Sequence, residues 1–206
     1  MMADLSRYRN VTMIKGSSTR HGQHDVDPLF IDRWSPRALS GAPLTAAQLK
    51  QLLEAARWAP SASNSQPWRF LYALRGSDFF PAFLDLLVPA NQAWAQRAGA
   101  LLVALSRTHG DDGKPLRSHS YDTGAAWMSI ALQASISGLA CHGIGGFDPE
   151  KARRVLRVPD GYAVEAMAVL GHPGDTAALS EPLRAREKPS DRRPQEQSAC
   201  EGPFAF

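Results

Sequence analysis

Residues 100–106 read Ala-Leu-Leu-Val-Ala-Leu-Ser, a run of strand length with no charge and no alternation. A half-buried strand alternates apolar with polar positions, so an unbroken apolar run predicts a strand central in its sheet. The segment 120–136 is also apolar nearly all round, through Ala125, Ala126, Trp127, Met128, Ile130, Ala131, Leu132, Ala134 and Ile136. Its length and the Gly138 stop signal mark it as a buried core helix instead.

The other elements are predicted around this pair. Thr45 and Gln48 form a capping box, after which Leu49, Leu52, Leu53 and Ala56 recur at helical spacing until Pro60, so a helix covers about 45–58. Trp68, Phe70, Tyr72 and Leu74 alternate with Arg69, Leu71 and Ala73 as in a strand. Ser77 is placed to cap a short helix over 79–87. Asp148 followed by Pro149 opens a helix through about Leu156, and 164–170 reads as a last strand. Helices and strands interleave around one sheet. Residues 1–27 show no sustained period and read as a flexible arm ahead of one domain over 28–206. Its end, about 181–206, reads as an extended surface tail.

Composition narrows the function classes. With 206 residues, 44% apolar and 21% charged, the chain is long enough for one core, and neither disordered, collagen-like nor a coiled coil. Cys141 and Cys200 make no disulfide framework and no zinc site, which points to a reducing, cytoplasmic setting. The apolar stretches fall short of the roughly 20 residues of a membrane span, and the short cationic start lacks the apolar core of a secretory signal. Net charge is +3 with basic residues scattered among acids, so nucleic acid is not an expected partner. Of 23 basic residues, 18 are arginine. A GC-rich genome produces such a bias, but arginine's fork also suits phosphate.

Three segments carry candidate chemistry. In Arg33-Trp34-Ser35-Pro36-Arg37, residues two apart project to one side of an extended chain, so Arg33, Ser35 and Arg37 can converge on one anion; the alternative is a solvated polar loop. Residues 59–68 set hydroxyls and amides between Pro60 and Pro67, which suits either a stiff loop reading a polar ring edge or ordinary turn chemistry. Residues 140–148 are rich in glycine, which admits a ligand close to the backbone or simply makes a turn before Asp148. Cys141 and His142 are adjacent in sequence and alternate to opposite faces, so no metal is expected there. No dinucleotide-binding GxGxxG is present.

Taken in order, these segments resemble the nitroreductase family of flavin-dependent oxidoreductases. The resemblance covers about 28–194, some four fifths of the chain. It rests on RWSPR at 33–37, EAARWAPSASNSQPWRF at 54–70, Asn91 with Trp94, the helix start Asp122-Thr123-Gly124-Ala125, GLACHGIGGFD at 138–148 and Leu170-Gly171-His172-Pro173. It implies an α+β fold, a mostly antiparallel sheet flanked by helices, in an intertwined homodimer with flavin mononucleotide (FMN) at the subunit interface.

Residue by residue, the resemblance implies that Arg33, Trp34, Ser35 and Arg37 hold the FMN phosphate and ribityl chain. Pro60, Ser61, Ser63 and Asn64 would cover the ring from the neighbouring subunit, with Gln66 nearby. Ile144, Gly145 and Gly146 would bring backbone N–H groups to the ring, and a tail arginine, Arg192 or Arg193, would close on the phosphate. Gly145 stands where several relatives carry an acid, and Trp94 stands where some carry a lysine. Asn91, Tyr121 and His142 have no assigned role. The activity implied is ping-pong hydride transfer from NAD(P)H to a small-molecule acceptor, a nitroaromatic, quinone or similar flat compound, with no catalytic side chain. A non-catalytic FMN store or sensor, or another flavin reaction such as reductive dehalogenation, would share the same contacts.

Overall fold

The apolar run is β2 (Ala100–Arg107) in the computed structural model, which describes residues 12–206, and no residue from Ala100 to Ser106 is more than 4% exposed. On one side it pairs with β1 (Trp68–Leu74), and on the other with β4 (Tyr162–Gly171), whose far edge takes β3 (Ala140–Ile144). The order is β1-β2-β4-β3 with every pair antiparallel. The α+β class, an antiparallel sheet flanked by helices, is as expected from the sequence.

Side chains on a strand alternate between faces, and here both faces are covered. Leu101, Val103 and Leu105 enter a cluster with Phe80 and Phe83 of α3 (Phe80–Leu84) and Trp94 of α4 (Pro89–Ala95). Ala100 and Leu102 enter a second cluster with Leu49 and Leu52 of α2 (Ala46–Arg57) and Ala126, Ile130 and Ala134 of α5 (His119–Ile136). Alanines at the sheet–helix contact let α5 lie close to the strands. The short helix α1 (Pro28–Asp32) leads into the RWSPR segment, α6 (Pro149–Val155) links β3 to β4, and α7 (Glu181–Arg184) starts the tail.

Local signals set the helix starts. Thr45 Oγ1 accepts from Gln48 N (3.1 Å) while Gln48 Oε1 accepts from Thr45 N (3.0 Å), the reciprocal pair that satisfies two otherwise orphaned donors. Asp148 accepts from Lys151 N (2.8 Å) with Pro149 at the helix start.

Several expectations need correction. Ser77 caps no helix: α3 starts at Phe80, so Ser77 is too far back for its hydroxyl to reach the first free N–H groups, and its Oγ is buried without a partner. The helix α4, opened by Pro89, is too short for periodicity to reveal. Residues 140–144, read as part of a glycine-rich turn, form the edge strand β3, whose partner lies on β4 more than twenty residues on. The helix α5 is not buried all round. Its sheet side holds Ala126, Ile130 and Ala134, whereas Tyr121 is 83% exposed and Ile136 63%. Among the described residues no helix is long and apolar enough to cross a membrane.

The energetic ranking follows from burial. Leu52, fully buried between α2 and the sheet, should lose about 2–5 kcal/mol of stability on Leu52→Ala, through lost transfer energy and the cavity left behind. Thr45→Ala should cost about 1 kcal/mol. Urea denaturation with unchanged slope is the measurement that separates them.

Candidate functional site

After α1 the chain is extended from Arg33, and burial alternates: Trp34, Pro36 and Ala38 point inward while Arg33, Ser35 and Arg37 face the other way. The indole of Trp34 donates to Ile14 O (2.7 Å), which fixes the segment in register. Arg33 Nη1 donates weakly to Ser35 Oγ (3.3 Å), and Arg33 Nε is buried without a partner. These side chains line a cavity of about 310 Å³ that also receives Arg20, Arg186, Lys188 and Arg192, with no carboxylate in its wall among the described residues.

Crowded cations leave an electrostatic trace. Burial lowers the Arg33 pKa, and the positive charge of Arg192 lowers it further. Arg20 shifts the same way, by burial first and then by Arg192 and Arg33. An anion in this cavity would relieve the repulsion and supply Arg33 Nε with an acceptor.

The cluster is assembled from remote segments. Arg20 is 9% exposed and spends its donors on backbone carbonyls: Nε to Ser190 O (2.7 Å), Nη1 to Ile31 O (3.0 Å) and Arg33 O (2.8 Å). So the stretch before α1, read as part of a flexible arm, is bonded to both the RWSPR segment and the tail; residues 1–11 of that arm lie outside the described residues. The tail, read as wholly extended on the surface, buries one charge. Glu187 accepts from Arg37 N (2.6 Å) and Ala38 N (2.7 Å), with Arg37 Nη1 at 4.0 Å. Two backbone donors and a nearby guanidinium make burial of that carboxylate tolerable. Arg192 lines the cavity, whereas Arg193 lies outside it and lines a neighbouring hollow with Arg20 and Phe30.

The third segment lines the same cavity through His142. His142, on β3, is 3.1 Å from Pro36 O through Nδ1, and its ring lies 4.8 Å from that of Trp94. Burial, and then the Arg37 charge, push its pKa down to about 4, so a neutral imidazole donates its Nδ1–H to the carbonyl. On the opposite face Cys141 is buried, and its pKa is pushed up to about 12, which leaves no thiolate for nucleophilic work. Just past Ile144, the carbonyl of Gly146 accepts from Asn91 Nδ2 (3.0 Å) and Val88 N (3.1 Å). A Cβ on Gly146 would sit 2.6 Å from Asn91 Nδ2, whereas one on Gly145 would meet nothing within 4 Å. Asn91 therefore braces the turn that displays Gly145.

The remaining segment stands apart. Pro60, Ser63, Asn64 and Gln66 are exposed, Ser61 is half-buried, and none of them lines the cationic cavity. Ser63, Asn64 and Gln66 hold φ of 50°, 53° and 44°, a costly conformation outside glycine. It is held by the buried Asp122, whose Oδ2 accepts from Ala62 N (3.1 Å) and Ser118 Oγ (2.9 Å), and by Gln66 N donating to Ser61 Oγ (3.0 Å). Sequence reasoning missed Arg20, Arg186, Lys188 and Glu187. The excess of arginine was the one signal that pointed toward such a cluster.

Comparison with known proteins adds relatives that this chain covers over most of their length. The model described as the Nitroreductase family matches residues 31–172. A solved structure described as an oxidoreductase containing FMN is 46% identical, with a TM-score of 0.88, over 90% of this chain and 96% of that one. The NADH dehydrogenase of Thermus thermophilus is 29% identical over 187 residues, covering 73% of this chain and 88% of its own. An uncharacterised 15.4 kDa protein of Mycolicibacterium smegmatis is 33% identical over 141 residues, 65% of this chain and 91% of its own.

Two outcomes are expected. Glu187→Ala strands two backbone N–H groups, so it should cost about 3 kcal/mol and open the tail near 185–192 to limited proteolysis. His142 titrates near 4 when folded and near 6.5 when unfolded, so the unfolded state takes up the proton first on acidification. Stability fully present above about pH 6.5 should therefore be lost between about 6.5 and 4, by up to about 3 kcal/mol, and His142→Asn should flatten that part of the pH–stability curve.

Proposed function

The chain belongs to the nitroreductase family of oxidoreductases, and from that membership we propose that it is an FMN enzyme of the homodimeric kind, taking hydride from NADPH or NADH and delivering it to a flat electron-poor acceptor such as a nitroaromatic or quinone. The observation that carries the cofactor assignment is the cationic cavity. Among the described residues, cationic side chains surround it, no carboxylate does, and Arg33 Nε is buried without an acceptor. A phosphomonoester dianion fits those donors.

On this reading Arg33, Ser35, Arg37 and Arg192 hold the phosphate and ribityl chain, with Trp34 as the packed support behind them. Ile144, Gly145 and Gly146 bring backbone to the ring, and the open space at Gly145 supports this. Pro60, Ser61, Ser63 and Asn64 of the partner subunit cover the ring, with Gln66 of the partner subunit nearby. Two features favour that arrangement: the loop is stiff and exposed, and α5 leaves Tyr121 and Ile136 uncovered in one protomer. Bound FMN supplies a centre that accepts hydride and gives it up again. The side chains bind, orient and exclude water, and the cations favour a negatively charged cofactor. One exposed ring face serving donor and acceptor in turn gives ping-pong kinetics. The free cysteines Cys141 and Cys200 suit a reducing cytoplasm.

Purified protein should be yellow and release FMN, not FAD, on denaturation, and NADPH added without oxygen should bleach it within the turnover time. Parallel double-reciprocal lines are expected with a quinone acceptor. A yellow protein that NADPH does not bleach would instead be a flavin store or sensor. Arg33→Ala and Arg192→Ala should each weaken FMN binding by about tenfold or more, and Arg193→Ala by roughly threefold at most.

A further inference from the structure

The strands β2 and β4 pair residue for residue from Ala100↔Leu170 to Ala104↔Ala166, and then slip so that Leu105 faces Val164. Glu165 is the extra residue of this β-bulge, a device that re-aims a side chain. It turns to the α5 side of the sheet, where its Oε1 accepts from Ser106 Oγ and from Ser120 Oγ (2.7 Å). His119 Nδ1 lies 2.7 Å from Ser106 Oγ. Since the single Ser106 proton goes to Glu165, His119 donates from Nδ1 and holds the serine in place. Among the described residues no group donates to Glu165 Oε2.

That carboxylate borders a second cavity, of about 280 Å³, which opens where β3 ends and the chain leaves through Gly145. Its walls include Thr123, Gly124 and Trp127 of α5. The Thr123 side chain is 2% exposed with Oγ1 unpartnered, and Trp127 Nε1 is likewise buried without a partner. The indole cannot swing toward the sheet, because it already lies against Gly143, where a Cβ would be 2.8 Å from Trp127 Cζ2. A cavity of about 150 Å³ holds a benzene ring, so this one has room for a ring with substituents but not for a dinucleotide.

We propose that this cavity selects the acceptor: Glu165 Oε2 receives an N–H or O–H from an amino- or hydroxy-substituted aromatic ring seated between Thr123, Gly124 and Trp127, and the carboxylate turns away anionic acceptors. The assignment rests on the reading of the FMN site above, because Gly145 is the residue shared between the ring's seat and this cavity.

Calorimetric titration of the oxidised protein as purified, without reductant, with 4-nitroaniline, nitrobenzene and 4-nitrobenzoate tests it. The amine should bind about tenfold or more tighter than the carboxylate, and Glu165→Gln should shrink that ratio to about threefold or less. Gly124→Leu fills space that is empty around Gly124 and should weaken the amine and nitrobenzene by about tenfold, with melting temperature and flavin content showing that it folds. An unchanged ratio in Glu165→Gln, wild-type affinities in folded Gly124→Leu, or no binding of any probe overturns the proposal. A colourless protein that still discriminates sinks the flavin reading and leaves the pocket standing; a yellow one that does not discriminate does the reverse.

Discussion

Like charges stay together in this protein because backbone carbonyls hold one of them. Arg20 gives its donors to the carbonyls of Ile31, Arg33 and Ser190, and so binds the segment before α1, the RWSPR stretch and the tail into one body. Its charge repels Arg33 and Arg192 while its hydrogen bonds draw their segments in. Glu187 adds a second tie, from the tail to the backbone of Arg37 and Ala38. The repulsion is thus held in a frame of backbone hydrogen bonds and one buried carboxylate. On the proposed function, a phosphate would meet cations whose segments that frame already holds together.

The side chains that most resemble reactive groups serve as braces. His142, neutral through burial, links β3 to Pro36 and thereby sets the distance between the edge strand and the arginines. Asn91 spends its amide on the Gly146 carbonyl and fixes the turn at the strand's end. Cys141 is core. On the proposed function this division is coherent, since a bound cofactor would carry the reaction and the protein would hold geometry rather than supply a nucleophile.

Legibility in the sequence followed locality. The Thr45–Gln48 box, the Asp148–Pro149 start and the apolar run of β2 are decided by residues within a few positions, and each was readable. The convergence of Arg33, Ser35 and Arg37 was readable too, because it needs only an extended backbone. Arg20 and Glu187 were not: their partners lie up to 170 and 150 positions away, and neither neighbourhood looks ordered by pattern. Glu165 was hidden for a different reason. A bulge is a property of pairing, and β4 alone reads as an ordinary strand interrupted by one acid.

The edge strand also separates two sites of opposite character. His142 and Gly143 are neighbours and so face opposite sides of β3. The first borders the arginine cavity and the second borders the cavity with Glu165 in its wall. The second cavity also reaches Gly145, just past the end of the strand, where a side chain would meet nothing. A near-neutral chain can thereby present strong local fields of both signs, the positive one suited to an anionic anchor and the negative one to a hydrogen-bond-donating ring.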